Sequence, residues 1–256
     1  MIFCLNGLPA QVGPLRETSL GKISTREITE LLPRRARDKW VFRFYDHGKN
    51  VKWAKSWTRK VNLTGIAWDK PSNGVLITPV HMLLTRHMGR RTDKPVYFHD
   101  KEGKLIERNI ISYFHVGGKE PSIDLLLVRL DRPVPLPHYR VLPPRIDWED
   151  SLVGELALIT TDKDRKLTVA QIGRIGGGRV AFAKSNKVDE FYQSKVVVGD
   201  SANPSFLLIN GEPILIEIHS TGGWGSGPFL SDPVVFAKIN ESLKELGGDY
   251  QLDVLK

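Results

Sequence analysis

A cluster of prolines between residues 131 and 148 divides the sequence into two parts. The cluster contains Pro133, Pro135, Pro137, Pro143 and Pro144. Proline has no amide hydrogen to donate to a sheet ladder, so we expect an extended connection here rather than a strand. On both sides, short runs rich in Val, Ile, Trp and Tyr alternate with turn sequences such as residues 46–50 and 71–74. Many short strands with regular turns indicate an all-β chain of sandwich or barrel type.

Helix signals lie near the two ends of the chain. Residues 24–27 read Ser-Thr-Arg-Glu, a capping-box pattern that predicts a short helix over residues 28–32. Residues 231–233 read Ser-Asp-Pro, which offers a cap followed by a proline at the first helical position. Apolar residues then recur at helical spacing until Gly247 ends the pattern. We therefore predict a C-terminal helix.

These patterns divide the chain into five segments. We predict an N-terminal extension with a short helix (residues 1–38), a first β unit (39–130), a Pro-rich linker (131–148), a second β unit (149–232) and a C-terminal helix with its tail (233–256). A chain of 256 residues is long enough for two units that each bury a core.

Positive charge is concentrated in residues 1–100. They contain 18 Lys and Arg against 8 Asp and Glu, whereas the rest of the chain contains 19 against 21. The excess is densest in residues 34–60, where aromatic side chains are interleaved with the basic ones. Such a mixture can bind nucleic acid or another anionic partner. Because no nucleic-acid-binding motif accompanies it, we favour a hairpin with an apolar inner face and a solvated basic outer face. A regulatory or anionic partner at residues 34–60 stays open.

Cysteine and histidine usage bears on the other kinds of site. Cys4 is the single cysteine, so no intrachain disulfide can form. The seven histidines show no metal-ligand spacing, and residues 173–178 predict a hairpin turn rather than a phosphate loop, so we expect neither a metal nor a cofactor.

No apolar run approaches the roughly 20 residues that a membrane helix needs. The compartment is left open, with a bacterial periplasmic or secreted protein favoured over a cytoplasmic one; the apolar residues 1–5 fit an ordinary terminus better than a signal peptide.

Two segments end or begin on residues suited to proton transfer. In residues 74–87 an apolar strand runs into a proline turn, and a second apolar run ends at His87. Further on, Asp124 opens the apolar run of residues 125–130. A carboxylate at such a buried position needs partners, because an unpaired buried charge is costly. The structural alternatives are a histidine that only packs and an aspartate that accepts backbone N–H bonds in a turn.

A third segment, residues 198–204, reads Val-Gly-Asp-Ser-Ala-Asn-Pro. Small or turn-forming residues follow an apolar run, and Pro204 ends the group. Such a turn can aim consecutive backbone N–H groups into one small space, which is the arrangement that stabilises an oxyanion. A simple surface turn is the alternative.

Together, in the order His, Asp, Ser, these segments resemble the trypsin/chymotrypsin family of serine peptidases, in its disulfide-free bacterial form. The resemblance covers roughly residues 60–247 and implies two six-stranded antiparallel β-barrels with a C-terminal helix. It implies hydrolysis of peptide bonds through an acyl-enzyme, with Ser201 as nucleophile, His87 as its base and Asp124 as the group that orients the base. The backbone N–H groups of Gly199 and Ser201 would form the oxyanion hole. Subtilisins and α/β-hydrolases place the same groups in other orders.

The resemblance also implies a substrate-binding edge at residues 215–222. Ser220 would hydrogen-bond Asp124, while Thr221 and Gly222 would flank the primary pocket. The floor of that pocket falls at Lys195, which would favour acidic side chains before the cleaved bond. A lysine that reaches out to solvent from a loop of different length is the alternative.

The sequence departs from the family pattern near the nucleophile. Ala202 and Asn203 replace two glycines, and the methyl group of Ala202 could crowd the loop. Arg86 replaces a small residue before the histidine, and we expect it to point outward. No N-terminus suited to pairing with Asp200 can be recognised, so Asp200 must find another partner. These departures support a second hypothesis, a protease-like scaffold with weak or no activity that binds a protein or anionic partner through residues 34–60.

Overall fold

The computed structural model describes residues 19–35, 37–68, 73–89, 94–118 and 123–256. Cys4 and the expectation for residues 1–5 lie outside this part. The helices are α1 (Leu20–Leu31), α2 (Trp148–Leu152) and α3 (Pro233–Glu245), with short 3₁₀ turns at Trp57–Lys60, Arg86–Met88 and Glu190–Tyr192. The strands are β1 (Phe42–Phe44), β2 (Lys52–Trp53), β3 (Ile66–Ala67), β4 (Gly74–Thr78), β5 (His81–Leu84), β6 (Val96–His99), β7 (Leu105–Arg108), β8 (Ile110–His115), β9 (Leu126–Leu130), β10 (Leu156–Thr161), β11 (Lys166–Gly176), β12 (Arg179–Ala183), β13 (Pro204–Ile209), β14 (Glu212–Ile218) and β15 (Ser226–Pro228).

The strands form two larger antiparallel sheets. The second half of the chain forms a six-stranded sheet in the order β14-β13-β10-β11-β12-β15, and the first half forms a five-stranded sheet in the order β3-β4-β5-β9-β8. Strands β1–β2 and β6–β7 form separate two-stranded ladders. The predicted predominance of antiparallel β-structure and the C-terminal helix are confirmed. Two complete six-stranded barrels are not, because the strands of the first half are divided between one sheet and two small ladders.

The two halves share buried apolar surface. One cluster of buried side chains joins Leu83 and Leu127 of the five-stranded sheet to Phe206 and Leu215 of the six-stranded sheet. The Pro-rich segment runs alongside in extended form, and Val141 within it bridges to Leu215. Packed interiors move little, so this shared core fixes the positions of the loops at the edges of both sheets.

Helix α1 begins at Leu20, earlier than the capping-box pattern predicts, so the predicted start is wrong. Ser24 lies inside the helix, where its buried hydroxyl donates to Leu156 O and accepts from the N–H of Leu208, both at 3.0 Å. The Glu27 carboxylate accepts the two backbone N–H groups of the β13–β14 turn at 2.8 Å. The polar residues that resemble a cap therefore bind the helix to the six-stranded sheet instead.

Helix α3 begins as the sequence predicts. Asp232 is its N-cap, and its carboxylate accepts the N–H groups of Val234 and Val235 at 3.0 and 3.1 Å. These bonds satisfy donors that have no partner inside the helix. Ile239 and Leu243 are buried and attach the helix to the core.

The basic and aromatic residues 34–60 include the antiparallel pair β1–β2. Phe42 is buried on the inner face and stacks on Trp53 with ring centroids 4.7 Å apart. Trp40 and Phe44 are half exposed. Trp40 also bridges to Lys166 at the start of β11, so this region is attached to the second half of the molecule.

Among the described residues, no helix is both long and apolar enough to cross a membrane. The same residues contain no grouping of His, Cys, Asp and Glu side chains that could hold a metal ion.

Candidate active site

The register of two neighbouring strands brings His87 and Asp124 together. Strands β5 and β9 pair antiparallel, and their last aligned residues are Leu84 and Leu126. His87 follows Leu84 in a 3₁₀ turn, and Asp124 precedes Leu126, so both lie just beyond the same edge of the sheet. The N–H of Arg86 donates to Asp124 O at 3.4 Å, which continues the ladder to the site itself.

Asp124 holds His87 by two hydrogen bonds. Its Oδ2 lies 2.6 Å from Nδ1 of the ring, and its Oδ1 accepts the backbone N–H of His87 at 2.9 Å. An ionised carboxylate can only accept, so the proton of a neutral ring sits on Nδ1 and Nε2 is left with a lone pair. The imidazole and carboxylate side chains are 44% and 22% exposed, so the ring remains reachable from solvent.

Ser201 completes the group. Its Oγ lies 3.0 Å from Nε2 of His87, the ring nitrogen that does not face Asp124. Since Nε2 accepts, the Ser201 hydroxyl donates to it. The structure thus brings together the three predicted residues in one hydrogen-bonded series, although they come from distant parts of the chain. A nucleophile, a base within reach of it and a third group that orients the base form the arrangement required for nucleophilic catalysis.

Asp200, for whose carboxylate the sequence shows no suitable N-terminus as partner, is bound by backbone N–H groups instead. Its buried carboxylate accepts the N–H of Lys163 through Oδ1 and the N–H of Val197 through Oδ2, both at 2.9 Å. The Asp200 carbonyl in turn accepts both the backbone N–H and the side-chain Nδ2 of Asn203 at 3.2 Å. Asp200 and Asn203 therefore hold the loop on both sides of Ser201. Neither bond to Asp200 involves a free N-terminus.

The loop before Ser201 contains a tight turn. The N–H of Asp200 donates to Val197 O at 3.0 Å, and Gly199 between them has a φ of +100°. A positive φ at the third residue is the mark of a type II turn, which favours glycine there. Among the described residues, no acceptor pairs with the backbone N–H groups of Gly199 or Ser201. These are the two groups predicted to receive an oxyanion.

Ala202 occupies a glycine-like conformation, with a φ of +69°. Its N–H donates to His219 O at 2.9 Å, and the residue is fully buried. Its methyl group packs with a cluster from the five-stranded sheet that includes Leu84 and Leu126. The methyl group therefore contributes an apolar contact between the Ser201 loop and the half of the molecule that carries His87.

Asn73 is a further residue at the site that sequence reasoning missed. Its side chain is buried at the start of β4, and its Nδ2 donates to Ser201 O at 3.5 Å. In the sequence, Asn73 is marked only as part of the turn pattern at residues 71–74. The long contact again links the Ser201 loop to the first half of the molecule.

The predicted substrate-binding residues lie along the segment that follows β14. Thr221 and Gly222 are exposed. Ser220 Oγ is buried without a hydrogen-bond partner among the described residues, so the predicted bond to Asp124 is not formed in this structure. The N–H of Val196 donates to Gly223 O at 2.7 Å, which joins this segment directly to the residues that precede the Ser201 loop.

Lys195 is exposed and lines a cavity of about 280 Å³. Lys163, Lys166 and Asp200 line the same cavity, whereas Thr221 and Gly222 do not. The structure thus places Lys195 at a basic cavity beside the Asp200 anchor. It does not bring Lys195 into one cavity with the other predicted pocket residues.

The Arg86 side chain bonds to the backbone of the segment that follows β8. Its guanidinium donates to Gly118 O at 3.2 Å and is partly exposed.

A buried acid–base pair lies behind the Ser201 loop. Glu217 Oε1 lies 2.9 Å from His219 Nδ1, both side chains are inaccessible to solvent, and Ser205 Oγ also donates to Glu217. Burial is the largest single influence and lowers the pKa of His219. The charge and hydrogen bond of Glu217, together with the charge of Asp200 and a hydrogen bond to the Thr160 backbone, outweigh it, and the net pKa is raised. The backbone of His219 bonds to both Ala202 and Asn203, so this pair sits at the base of the loop.

A scan against models of protein families finds no match to this chain, and a search of curated proteins finds no match either.

Proposed function

We propose that this protein is a serine-type endopeptidase of the trypsin/chymotrypsin type. The observation that carries the proposal is the imidazole of His87, which lies 2.6 Å from Asp124 Oδ2 and 3.0 Å from Ser201 Oγ. The predominantly β fold is compatible with the family, and the proposal includes its two-barrel architecture. Its substrate is a polypeptide, and no metal or cofactor takes part.

The geometry supports a definite division of roles. Ser201 Oγ attacks the carbonyl carbon of the scissile bond while its proton passes to Nε2 of His87. Asp124 keeps the other ring proton on Nδ1 and stabilises the imidazolium that forms. His87 then donates the proton to the leaving amine, which leaves an ester between the acyl group and Ser201. Water hydrolyses this ester by the same steps, with His87 again as base and then as acid.

The oxyanion is assigned to the backbone N–H groups of Gly199 and Ser201. Supporting observations are the positive φ of Gly199, the two bonds that hold the Asp200 carboxylate, and the lack of a described acceptor for either N–H group. Donors that are held in place before the reaction need no reorganisation when charge develops. The substrate backbone is assigned to the edge at Ser220, Thr221 and Gly222, of which Thr221 and Gly222 are exposed.

The departures from the family pattern do not interrupt this arrangement. Ala202 adopts the positive φ that a glycine would adopt there, and Arg86 is bound to Gly118. Asp200 obtains from Lys163 and Val197 the partners that an activating terminus would otherwise supply.

Covalent labelling with a fluorophosphonate tests the proposal. An activated serine oxygen forms a bond to phosphorus and expels fluoride, so we expect stoichiometric labelling of the unmodified protein and none of Ser201→Ala. Ser151→Ala is the matched control, since its hydroxyl bonds only to Trp148 O on α2 and lies outside the site. Equal labelling of Ser201→Ala and the unmodified protein would sink the proposal.

A binding scaffold without turnover is the second candidate function, and the exposed aromatic surface favours it. Trp40 and Phe44 are 48% and 52% exposed within the basic region 34–60. Retention on an anionic matrix by Ser201→Ala, with loss on charge reversal across residues 34–60, would support this candidate. Cleavage of casein by the isolated chain counts against it.

A further inference from the structure

A second cavity lies between the β1–β2 hairpin and the turn that joins β10 to β11. Its volume is about 580 Å³. The residues that line it are Asp38, Trp40, Phe42, Arg43, Tyr45, Ala54, Lys55, Asp164 and Arg165. Small-molecule sites have volumes of this order, roughly 300–1,000 Å³. None of the residues assigned above to the active site lines this cavity.

Positive charges outnumber negative ones in the lining of this cavity. Asp164 is paired with Lys166 at 2.7 Å, and Asp38 Oδ1 accepts the N–H of Trp40 at 2.9 Å. Arg43 and Lys55 are exposed, and neither side chain has an ion pair or hydrogen bond with another described residue. The lining therefore carries three positive and two negative formal charges, a net of +1, and two of its cationic side chains have no described partner.

Arg165 contributes a third cation in an unusual setting. Its guanidinium carbon lies 3.7 Å from the centre of the Tyr45 ring, and its buried Nε has no hydrogen-bond partner among the described residues. A buried donor without a partner is costly, and most such groups are satisfied by protein, water or a ligand. The ring of Tyr45, with those of Trp40 and Phe42, gives the cavity an aromatic wall as well.

From these observations we infer that the cavity binds an aromatic anion. The anionic group would meet Arg43, Lys55 and Arg165, whose N–H groups suit a carboxylate or sulfonate oxygen. The flat apolar part would lie against the faces of Trp40 and Tyr45 that are not covered by Lys166 and Arg165. A bare inorganic anion would leave the aromatic wall uncovered, and a neutral aromatic molecule would leave the cations without a partner.

The cavity shares a turn with the anchor of the Ser201 loop. Arg165 closes that turn by donating its N–H to Asp162 O at 3.2 Å, and it has a φ of +50°, a strained value for a side chain of this size. Two residues earlier, the N–H of Lys163 donates to Asp200 Oδ1. The turn therefore contacts the ligand site on one side and Asp200 on the other, so a ligand that holds Arg165 also restrains the loop that carries Ser201.

Calorimetry with naphthalene-2-sulfonate tests the site. We expect saturable binding, at least about tenfold weaker binding of the neutral naphthalene-2-sulfonamide and of Arg165→Gln, and none of methanesulfonate. Arg43→Gln, whose exposed side chain bonds to no described residue, should also bind more weakly and guards against misfolding of the Arg165 variant. Arg174→Gln, on the exposed face of β11, should bind as the unmodified protein does.

Absence of saturable naphthalene-2-sulfonate binding would overturn the site, as would equal affinities of the sulfonate and the sulfonamide. Equal affinities of Arg165→Gln, Arg43→Gln and Arg174→Gln would do the same.

Amide hydrogen exchange tests the link to the loop. With the sulfonate bound, the amides of residues 196–202 should exchange more slowly, and this protection should disappear in Arg165→Gln. Unchanged exchange at saturation would overturn the link. Neither measurement depends on peptidase activity, so a failure here and a failure of fluorophosphonate labelling are separate results.

Discussion

The two halves of the molecule position their parts of the candidate site by different means. His87 and Asp124 stand at the edge of the five-stranded sheet, where the pairing of Leu84 with Leu126 brings them together. Ser201 stands on a loop without strand pairing of its own. It is held by the Asp200 carboxylate, by Asn203 and by the buried contact of Ala202.

The two parts of the site therefore differ in how many hydrogen bonds and contacts fix their geometry. Strand register is repeated along a whole ladder, so the loss of one bond leaves the geometry of His87 and Asp124 largely intact. The Ser201 loop depends on a few side chains, each with a separate role. We expect substitutions in the first half to change chemistry with little change in structure, and substitutions around Ser201 to change both.

The largest effect is expected from Asp124→Asn. An amide can present an N–H to Nδ1 of His87 and so stabilise the wrong ring tautomer, which in a triad of this type lowers kcat by about 10⁴-fold. Casein hydrolysis measures the rate, and a thermal melt should show little change because the β5–β9 ladder remains. Asp253→Asn, on the exposed C-terminal tail, is the control. A rate close to that of the control would contradict the role assigned to Asp124.

A smaller loss of rate, with a local change in structure, is expected from Asp200→Asn. The variant must turn an amide N–H toward one of the two backbone donors, Lys163 or Val197, and so loses one anchor of the loop. If the oxyanion donors are displaced, kcat falls by about 10²–10³-fold. Faster hydrogen exchange in residues 196–202, with unchanged exchange at residues 81–87, would locate the damage in the second half. Unchanged kcat would show that the carboxylate does not hold the loop.

Acid should lower the free energy of unfolding through His81, which is fully buried in β5 of the first half. Burial, with the charge of Arg129 adding to it, lowers the pKa of His81 from 6.5 to about 4. The unfolded chain therefore binds a proton between these values that the folded chain does not, so stability falls as the pH drops from about 6.5 to about 4. The loss amounts to about 3 kcal/mol by linkage.

Urea unfolding at a series of pH values measures this loss. His81→Gln, which cannot take up the proton, should show a shallower dependence over the same range. His138→Gln, in the Pro-rich segment, serves as the control. A slope in His81→Gln equal to that of the unmodified protein would contradict the assignment.

The smallest effects concern Ala202, where the two halves touch. Ala202→Val should lower the free energy of unfolding by about 2 kcal/mol, because a β-branched side chain fits poorly at a φ of +69° and overfills a packed site. In Ala202→Gly, relief of backbone strain opposes the loss of a buried methyl group and the greater freedom of the unfolded chain, so the net change is within about 1 kcal/mol. Urea unfolding compares the two. Equal destabilisation by valine and glycine would show that backbone conformation is not the constraint.

The sequence predicted what depends on repeated local patterns. Short apolar runs separated by turns predicted a predominantly β chain, and Asp232 with Pro233 predicted the start of α3. His87, Asp124 and Ser201 were selected by their segments, and the structure brings them within hydrogen-bonding distance. Their catalytic roles stay a prediction, as do the five proposed segments.

The features that the sequence did not reveal depend on contacts between distant backbone groups. The partners of Asp200 are N–H groups, which every residue but proline has, so no residue type marks them. The residues of the capping-box pattern bond to a sheet that comes much later in the chain, and the same hydroxyl and carboxylate groups serve equally well there. Lys195 was assigned by counting along a loop, and its role at the floor of the primary pocket stays a prediction.

The attachment of α1 to the six-stranded sheet has a consequence for the protein during its synthesis. Ser24 bonds to Leu208, which lies 184 residues later in the chain. At about 5–20 residues per second, that strand leaves the ribosome roughly 10–40 s after the helix. A helix of 12 residues is marginal in water by itself. Helix α1, although translated before both sheets, must therefore be among the last of the described elements to fold, and until then its apolar face is open to chaperones.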